Sequence, residues 1–181
     1  MNNVTRLRRG NYALTLAGIA ALPYRSVYAD LSLAQRRRAA QFQNAKLKRQ
    51  YLACKWLQLQ LRQQQPKHHF SMSHTGKWVV IASARRRIGI DAERAGDKIS
   101  SEFVKLIAAN PCEGIWAAAD TFTGPNRSLL LWLAKEARFK SAGNFQANFD
   151  PQTIAVYGAS GWLPKLRFER VWGLQIAVYL G

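Results

Sequence analysis

Apolar residues at spacings of three and four predict a long helix in the first half of the chain. This helix is expected to follow a break near Asn44 and to end before Pro66. Five residues form its buried stripe: Leu47, Tyr51, Cys54, Leu57 and Leu61. A shorter helix is predicted to begin at Ser32, because Ser32 and Gln35 have the spacing of a capping box, in which the two residues satisfy each other's backbone amides.

A second helical pattern covers residues from about 126 to 142, and Gly143 is expected to stop that helix. Its core side consists of Leu129, Leu130, Leu133 and Ala137. Trp132, Glu136 and Lys140 follow one another at spacing four, so their side chains line a single stripe. Taken alone, Glu136 and Lys140 are also explained as an ordinary ion pair on a helix surface.

An apolar run at residues 12–22 predicts a first strand. Three arginines precede this run, and Val27-Tyr28-Ala29 after it resembles a small-residue cleavage site, so the same segment also has the outline of a secretory signal. We prefer the strand, since Thr15 and Gly18 interrupt the run, which is too short to span a bilayer.

Residues 78–82 and 88–90 are mostly β-branched or small and flank three arginines at 85–87, which predicts a hairpin with a basic tip. Side chains alternate along a strand, so Asp91 and Glu93 should point to one face where the second strand ends. Further along, three segments with glycine turns between them predict an antiparallel meander: 153–157, 163–168 and 174–179.

Composition predicts a folded protein with a strongly basic surface. The 181 residues are 48% hydrophobic, enough to build a core in one domain or two small fused ones. The 27 Lys and Arg against 10 Asp and Glu leave a net charge of +17. Such a surface attracts nucleic acid, nucleotides, anionic lipid or an acidic protein. Two cysteines among apolar neighbours indicate neither a disulfide framework nor a zinc site.

Three of the few acids lie in two short blocks, Ile88-Gly89-Ile90-Asp91-Ala92-Glu93 and, some forty residues later, WLAKEARFK at 132–140. If the strand end and the helix stripe meet, Asp91, Glu93 and Glu136 can share one divalent cation. Mg²⁺ prefers hard oxygen ligands and is often bound together with phosphate groups. The blocks therefore indicate a site that handles phosphate.

These two blocks and a third, FSMSHTGKWVVIA at residues 70–82, resemble motifs of the 4'-phosphopantetheinyl transferases of the larger, surfactin-synthetase-activating type. They occur in the order and approximate spacing of that family. The resemblance extends from about Ser32 to the C-terminus.

The resemblance implies an α+β fold of two similar α/β halves related by a pseudo-twofold axis, with boundaries at 1–90 and 91–181. Coenzyme A would bind in the cleft between them, and Mg²⁺ would be held by Asp91, Glu93 and Glu136. A serine of an acyl or peptidyl carrier protein would attack the β-phosphate of coenzyme A and release adenosine 3',5'-bisphosphate. Glu136, Lys140 and Asp91 would be the catalytic residues, with Glu136 accepting the serine proton.

The resemblance also implies a set of coenzyme A contacts. Lys135 and Lys140 would bind its phosphates, and Ser73 with His74 would approach the 3'-phosphate and pyrophosphate. The remaining cations of the set are Arg38 and Arg49 on the first helices. Two features depart from the family: a Gly-Lys-Pro segment that seats the adenine is absent, and Gln35 stands where relatives have lysine. Glu113 aligns with a frequent family acid, but its neighbours differ.

The favoured function is thus transfer of phosphopantetheine by a monomeric, cytoplasmic enzyme with no membrane or nucleic-acid partner. Two alternatives stay open. The chain is a basic module that binds nucleic acid, which explains the charge but not the three acids. Or it is a relative that binds coenzyme A with weak catalysis.

Overall fold

The computed structural model describes residues 4–21, 24–119, 126–143 and 148–181. Helices and antiparallel sheets together form a mixed α+β fold, which confirms the expected class. The chain divides into two compact units, Met1–Arg85 and Arg86–Gly181. Within the described ranges, we find no helix with both the length and the apolar character needed to cross a bilayer.

The first unit packs a long helix against a sheet of four antiparallel strands in the order β1-β2-β4-β3. Its elements in chain order are β1 (Val4–Arg9), β2 (Tyr12–Gly18), a 3-10 turn (Ile19–Ala21), α1 (Tyr24–Asp30), α2 (Leu33–Ala40), α3 (Ala45–Gln64), β3 (His69–Thr75) and β4 (Trp78–Ala84).

Side chains cap both predicted helices of this unit. The Ser32 hydroxyl accepts from the Gln35 amide at 3.3 Å and the Gln35 side chain accepts from the Ser32 amide at 3.0 Å, which confirms the capping box. Asn44 caps α3 by accepting from the amides of Lys46 and Leu47. The buried part of α3 begins at Gln50, so the expectation that Leu47 is buried is wrong: it lies one turn earlier and is 44% exposed.

The first part of the apolar run forms a strand, β2 (Tyr12–Gly18), as predicted. It is not the first strand, because β1 precedes it, and it is shorter than expected, because Ile19–Ala21 form a 3-10 turn. The strand pairs with β1 on one side and β4 on the other, and its residues 12–17 are all buried. Leu22, at the end of the expected strand, lies outside the described residues. The segment at 27–29 that resembles a cleavage site belongs to α1.

The predicted hairpin across the three arginines is wrong. Strand β4 pairs with β2 and β3, whereas the strand that follows the arginines, β5 (Ile88–Arg94), pairs with the last strand of the chain, β9 (Leu174–Leu180). Residues Ile88–Ala92 are all buried, so β5 needs a partner that is itself buried, and β9 provides one. All of β5 lies in the second unit, so the expected boundary after residue 90 falls inside a strand.

The second unit packs helix α6 against a three-stranded antiparallel sheet in the order β5-β9-β8. Besides β5 and β9, its elements are α4 (Ser101–Ile107), α5 (Pro111–Ala118), α6 (Arg127–Ala142), a 3-10 turn (Pro151–Thr153), β6 (Tyr157–Gly158), β7 (Gly161–Trp162) and β8 (Leu166–Val171). The predicted bounds of α6 are confirmed: Asn126 caps its start, and Gly143 ends it with a left-handed φ of 72°.

Only part of the predicted meander forms. The hairpin of β8 and β9 is confirmed, but the strand expected at 153–157 is wrong. The Asp150 side chain caps a 3-10 turn there by accepting from the Gln152 amide at 3.0 Å. Side chains from α5 and α6 bond the backbone groups that a neighbouring strand would have used, as described below.

Candidate functional site

Strand β5 and helix α6 lie in direct backbone contact at Gly89. A Cβ atom added to Gly89 would lie 1.7 Å from the Ala137 carbonyl oxygen and 2.6 Å from the Ser141 nitrogen, so no other residue fits this approach. Because side chains alternate along a strand, Asp91 lies on the same face as Gly89 and is directed towards α6. The glycine therefore brings the first acid close to the helix.

Asp91, Glu136 and Lys140 meet where the strand and the helix touch. The Lys140 Nζ donates to Asp91 Oδ1 at 2.7 Å and lies 3.2 Å from Glu136 Oε2. The Asp91 side chain is 9% exposed, whereas Glu136 and Lys140 are 20% and 22% exposed. The ammonium of one partly exposed lysine thus joins acids from the two sequence blocks.

Burial and mutual charge shift the titration of this cluster. Burial raises the pKa of Glu136; the Lys140 ammonium opposes that shift and the Asp91 carboxylate adds to it. For Lys140, burial acts to lower the pKa, but the carboxylates of Asp91 and Glu136 outweigh it, so the pKa is raised. Lys140 is therefore held as a cation, and Glu136 is a stronger proton acceptor than an ordinary glutamate.

The third predicted acid, Glu93, lies on the same face of β5 as Asp91 and is half-buried. In the part of the chain that the structure describes, no three His, Cys, Asp or Glu side chains are grouped so as to hold a metal ion. Asp91 and Glu136 share one cation; the expected set of three acids does not form such a group.

The donor chemistry of this pair nevertheless suits a hard divalent ion. Asp91 and Glu136 each direct a carboxylate oxygen at the same cationic nitrogen. Mg²⁺ is commonly held by one or two carboxylates, with water and phosphate oxygens completing its octahedron. The two residues therefore fit Mg²⁺, with Glu93 on the adjacent part of the strand face.

Lys135, next to Glu136 in sequence, points away from this cluster into the core. Its ammonium lies 2.7 Å from Glu113 Oε2 and donates to the carbonyls of Pro151 at 2.9 Å and Ile154 at 2.5 Å. Both charged side chains are fully buried. Burial lowers the pKa of Lys135, and its hydrogen bond with Glu113 opposes the shift. The expectation that Lys135 binds a coenzyme A phosphate is wrong, because three acceptors use its ammonium hydrogens inside the protein.

Glu113 is a structural residue whose role the sequence reasoning missed. Its Oε2 accepts from the Ala109 amide at 2.7 Å, and its Oε1 accepts from the amides of Val156 at 2.6 Å and Tyr157 at 3.2 Å. The pair it forms with Lys135 therefore joins α5, α6 and the segment before β6. The sequence signal for this role was that Glu113 is the one acid in the otherwise mostly apolar segment that forms α5.

The first unit contains an open cavity of about 830 Å³, and four of its ten described lining residues are Lys or Arg. Among its lining residues are Lys46, Lys48, Arg49 and Lys77. The buried Gln50 side chain donates to the Gly76 carbonyl at 3.3 Å and so ties α3 to the turn between β3 and β4. This cavity offers several positive charges to an anionic ligand.

Of the coenzyme A contacts predicted in this unit, Arg49 lines the cavity, and the other three lie outside its described lining. Arg38 is exposed on α2; it donates to Gln41 Oε1 at 3.1 Å, and its guanidinium lies 5.5 Å from the centre of the Phe42 ring. Ser73 and His74 both belong to β3, where Ser73 is buried and His74 exposed. His74 therefore belongs to β3 itself.

The positive charge is distributed very unevenly along the chain. Residues 1–85 contain 15 Lys and Arg and a single acid, Asp30, whereas residues 86–181 contain 12 Lys and Arg and nine acids. The first unit is therefore the strongly basic one, and the acids of the candidate site belong to the second.

Comparison with known proteins adds no relative: the chain matches no family model and no curated protein.

Proposed function

We propose that this protein is an Mg²⁺-dependent 4'-phosphopantetheinyl transferase that moves phosphopantetheine from coenzyme A to a serine of an acyl or peptidyl carrier protein. The contact of Asp91 and Glu136 with the single ammonium of Lys140 carries this proposal. Two sequence blocks that resemble the family's motifs supply acids to one partly accessible site. The resemblance further suggests two pseudo-twofold related halves with coenzyme A bound between them.

Asp91 and Glu136 would hold Mg²⁺, with Glu93 as the adjacent acid of β5. When bound, the metal would neutralise charge on the diphosphate that develops during phosphoryl transfer. Lys140 carries the second positive charge of the site; without metal, the carboxylates of Asp91 and Glu136 raise its pKa. Its partial exposure leaves it accessible to phosphate oxygens.

Glu136 is the proposed general base. The serine hydroxyl of the carrier protein attacks the β-phosphorus of coenzyme A, its proton moves to the Glu136 carboxylate, and adenosine 3',5'-bisphosphate leaves. Burial raises the pKa of Glu136 above that of an ordinary glutamate, which makes its carboxylate a better proton acceptor. Catalysis of phosphoryl transfer is mainly positioning and charge neutralisation, so the site needs no covalent intermediate.

The cationic cavity of the first unit supports binding of coenzyme A, which is a polyanion. Arg49 and its neighbours would hold a phosphate of the nucleotide end, with Arg38, Ser73 and His74 as further contacts that the resemblance suggests. The unit's excess of Lys and Arg would also attract an acidic carrier protein and speed encounter at low salt. Because coenzyme A is a cytosolic metabolite, we propose a cytoplasmic enzyme. The two fused halves that the resemblance suggests favour a monomer.

The direct test incubates the protein with coenzyme A, Mg²⁺ and an apo carrier protein and measures the carrier's mass. The wild-type chain should add one phosphopantetheine, and Glu136→Gln should lose nearly all turnover because the base and one metal ligand are gone. Glu102→Gln, an exposed acid on α4, is the matched control and should keep wild-type turnover. Full activity of Glu136→Gln would refute the proposed site.

A second candidate function follows from the charge of the first unit. With 15 Lys and Arg and one acid, residues 1–85 suit a module that neutralises nucleic-acid phosphates. This reading predicts a gel shift that weakens with salt and is unaffected by Asp91→Asn. It leaves the Asp91, Glu136 and Lys140 cluster without a role.

The burial of Lys135 favours a third candidate, a relative that binds coenzyme A but transfers slowly, since one expected phosphate ligand is absent. Measuring coenzyme A binding separately from turnover distinguishes it, because binding would be tight while transfer stays slow.

A further inference from the structure

The Lys140 ammonium lies between the two acids of the candidate site and contacts both of them. Its Nζ is 2.7 Å from Asp91 Oδ1 and 3.2 Å from Glu136 Oε2. A second cation cannot contact the same two oxygens closely while the ammonium stays there, because like charges at this range repel strongly in a partly buried site. Lys140 and a divalent ion are therefore competitors for one pair of carboxylates.

We infer that Lys140 is an exchangeable cation: a divalent ion that binds Asp91 and Glu136 displaces the Lys140 ammonium, which then pairs with the diphosphate of coenzyme A. This inference rests on the proposed function and adds a coupling between its two ligands. Without ligands, Lys140 neutralises the two acids; with both ligands, it neutralises phosphate.

The side chain of Lys140 is suited to such an exchange. An ammonium on a flexible four-carbon stem can change its partners, in contrast to the rigid guanidinium of arginine. The Lys140 side chain is 22% exposed and is therefore in part accessible to solvent. Lys135 provides the contrast in the same helix, since it is fully buried and bonded to three acceptors, and so has no route to exchange.

The exchange makes binding of the two ligands cooperative. Mg²⁺ alone must break the contacts of Lys140 and leave the ammonium without an acidic partner, so it binds weakly. Coenzyme A alone meets a lysine that is already paired. When both bind, coenzyme A supplies a new partner for the displaced ammonium, and Mg²⁺ frees that ammonium from the two acids. Each ligand therefore raises the affinity of the other by the same factor.

Calorimetric titrations of the full chain and of Lys140→Met test this coupling. Methionine keeps the unbranched shape of the side chain and removes the charge. Mg²⁺ alone should bind about tenfold more tightly to Lys140→Met, a change within the range common for coupled sites. Lys105→Met, which removes an exposed lysine from α4 of the same unit, should bind Mg²⁺ as the wild-type chain does.

Titrations with coenzyme A separate exchange from simple charge removal. Lys140→Met should weaken coenzyme A binding about tenfold when Mg²⁺ is present and leave it nearly unchanged when Mg²⁺ is absent. Equal weakening with and without Mg²⁺ would overturn the inference, because the lysine would then reach phosphate without being displaced. Equal Mg²⁺ affinity of Lys140→Met and the wild-type chain would overturn it as well.

A measurement on the wild-type chain avoids any effect of substitution on folding. Acylation of lysine amines, followed by peptide mass spectrometry, should label Lys140 several-fold faster when Mg²⁺ alone is added and more slowly again when coenzyme A follows. Labelling that does not respond to Mg²⁺ would contradict the exchange. Circular dichroism and a second variant, Lys140→Gln, check that the titration results do not come from unfolding.

The transfer assay keeps the two proposals apart. If transfer to a carrier protein is normal but Mg²⁺ binds Lys140→Met and the wild-type chain with equal affinity, only the exchange is overturned. The full exchange pattern without any transfer would overturn the transferase function alone.

Discussion

Gly89 on β5 and Ala137 on α6 lie so close that a Cβ at position 89 would fall 1.7 Å from the Ala137 carbonyl oxygen. This contact brings the strand face that carries Asp91 against the helix that carries Glu136 and Lys140. The absence of a side chain at Gly89 is thus a condition for the candidate site, two residues away from its first acid.

Gly89→Ala should destabilise the second unit, because the new methyl group overlaps backbone atoms that cannot move aside. We expect the free energy of unfolding, measured by urea denaturation, to fall by about 3 kcal/mol, the upper part of the usual range for overpacking. Gly96→Ala is the matched control: its Cβ would have no neighbour within 4 Å, and a change within about 0.5 kcal/mol is expected. Equal stability of the two variants would contradict the close contact.

Lys135→Met should be strongly destabilising, because it leaves the Glu113 carboxylate buried without its partner. The expected loss is about 3–5 kcal/mol in the free energy of unfolding. Adding Glu113→Gln should recover part of that loss, since glutamine removes the charge and still accepts from the Val156 and Tyr157 amides. Strict additivity of the two substitutions would argue against a coupled pair. Lys165→Met, an exposed lysine of the same unit, should be close to neutral.

The raised pKa of Glu136 makes stability depend on pH with a defined sign. Between the ordinary value of 4.5 and the raised value, the folded chain binds more protons than the unfolded chain. The contribution of Glu136 to the free energy of unfolding therefore decreases as pH rises through this window. Relative to Glu136→Gln, the wild-type chain should lose stability from acid pH towards neutrality.

Urea denaturation over a pH series measures this difference for the protein without metal or coenzyme A. Glu102→Gln, which removes an exposed acid from α4, is measured alongside as the reference for the loss of one surface carboxylate. Parallel curves for the wild-type chain and Glu136→Gln would show that the pKa of Glu136 is the same in the folded and unfolded states.

Arg49→Gln should weaken coenzyme A binding about tenfold, the loss expected when one hydrogen bond between charged groups is removed. Arg62→Gln removes an exposed cation from the last turn of the same helix, outside the described lining of the cavity, and should bind nearly as the wild-type chain does. Calorimetry at fixed salt measures both. An equal loss in the two variants would indicate an effect of total charge and no specific role for the cavity.

Local patterns determined three of the helices, α2, α3 and α6, and the orientation of the acids along their own elements, whereas α1, α4 and α5 were not predicted. The capping box at Ser32, the cap at Asn44 and the stop at Gly143 follow from neighbouring residues, because each requires hydrogen bonds or backbone angles within a few positions. The spacing of Glu136 and Lys140 likewise follows from the helical repeat alone.

The tertiary structure decided which elements pair and which charges are enclosed. Strand β5 pairs with the last strand rather than with β4, and Lys135 points into the core while Glu136 beside it faces Asp91. Residues 153–157, expected as a strand, have backbone groups bonded by Lys135 and Glu113 instead. Periodicity is a property of neighbours along the chain, whereas the partner of a strand or of a buried charge depends on packing between distant segments. Sequence alone could therefore nominate Asp91 and Glu136, and only the packing of α6 on Gly89 brings them to one cation.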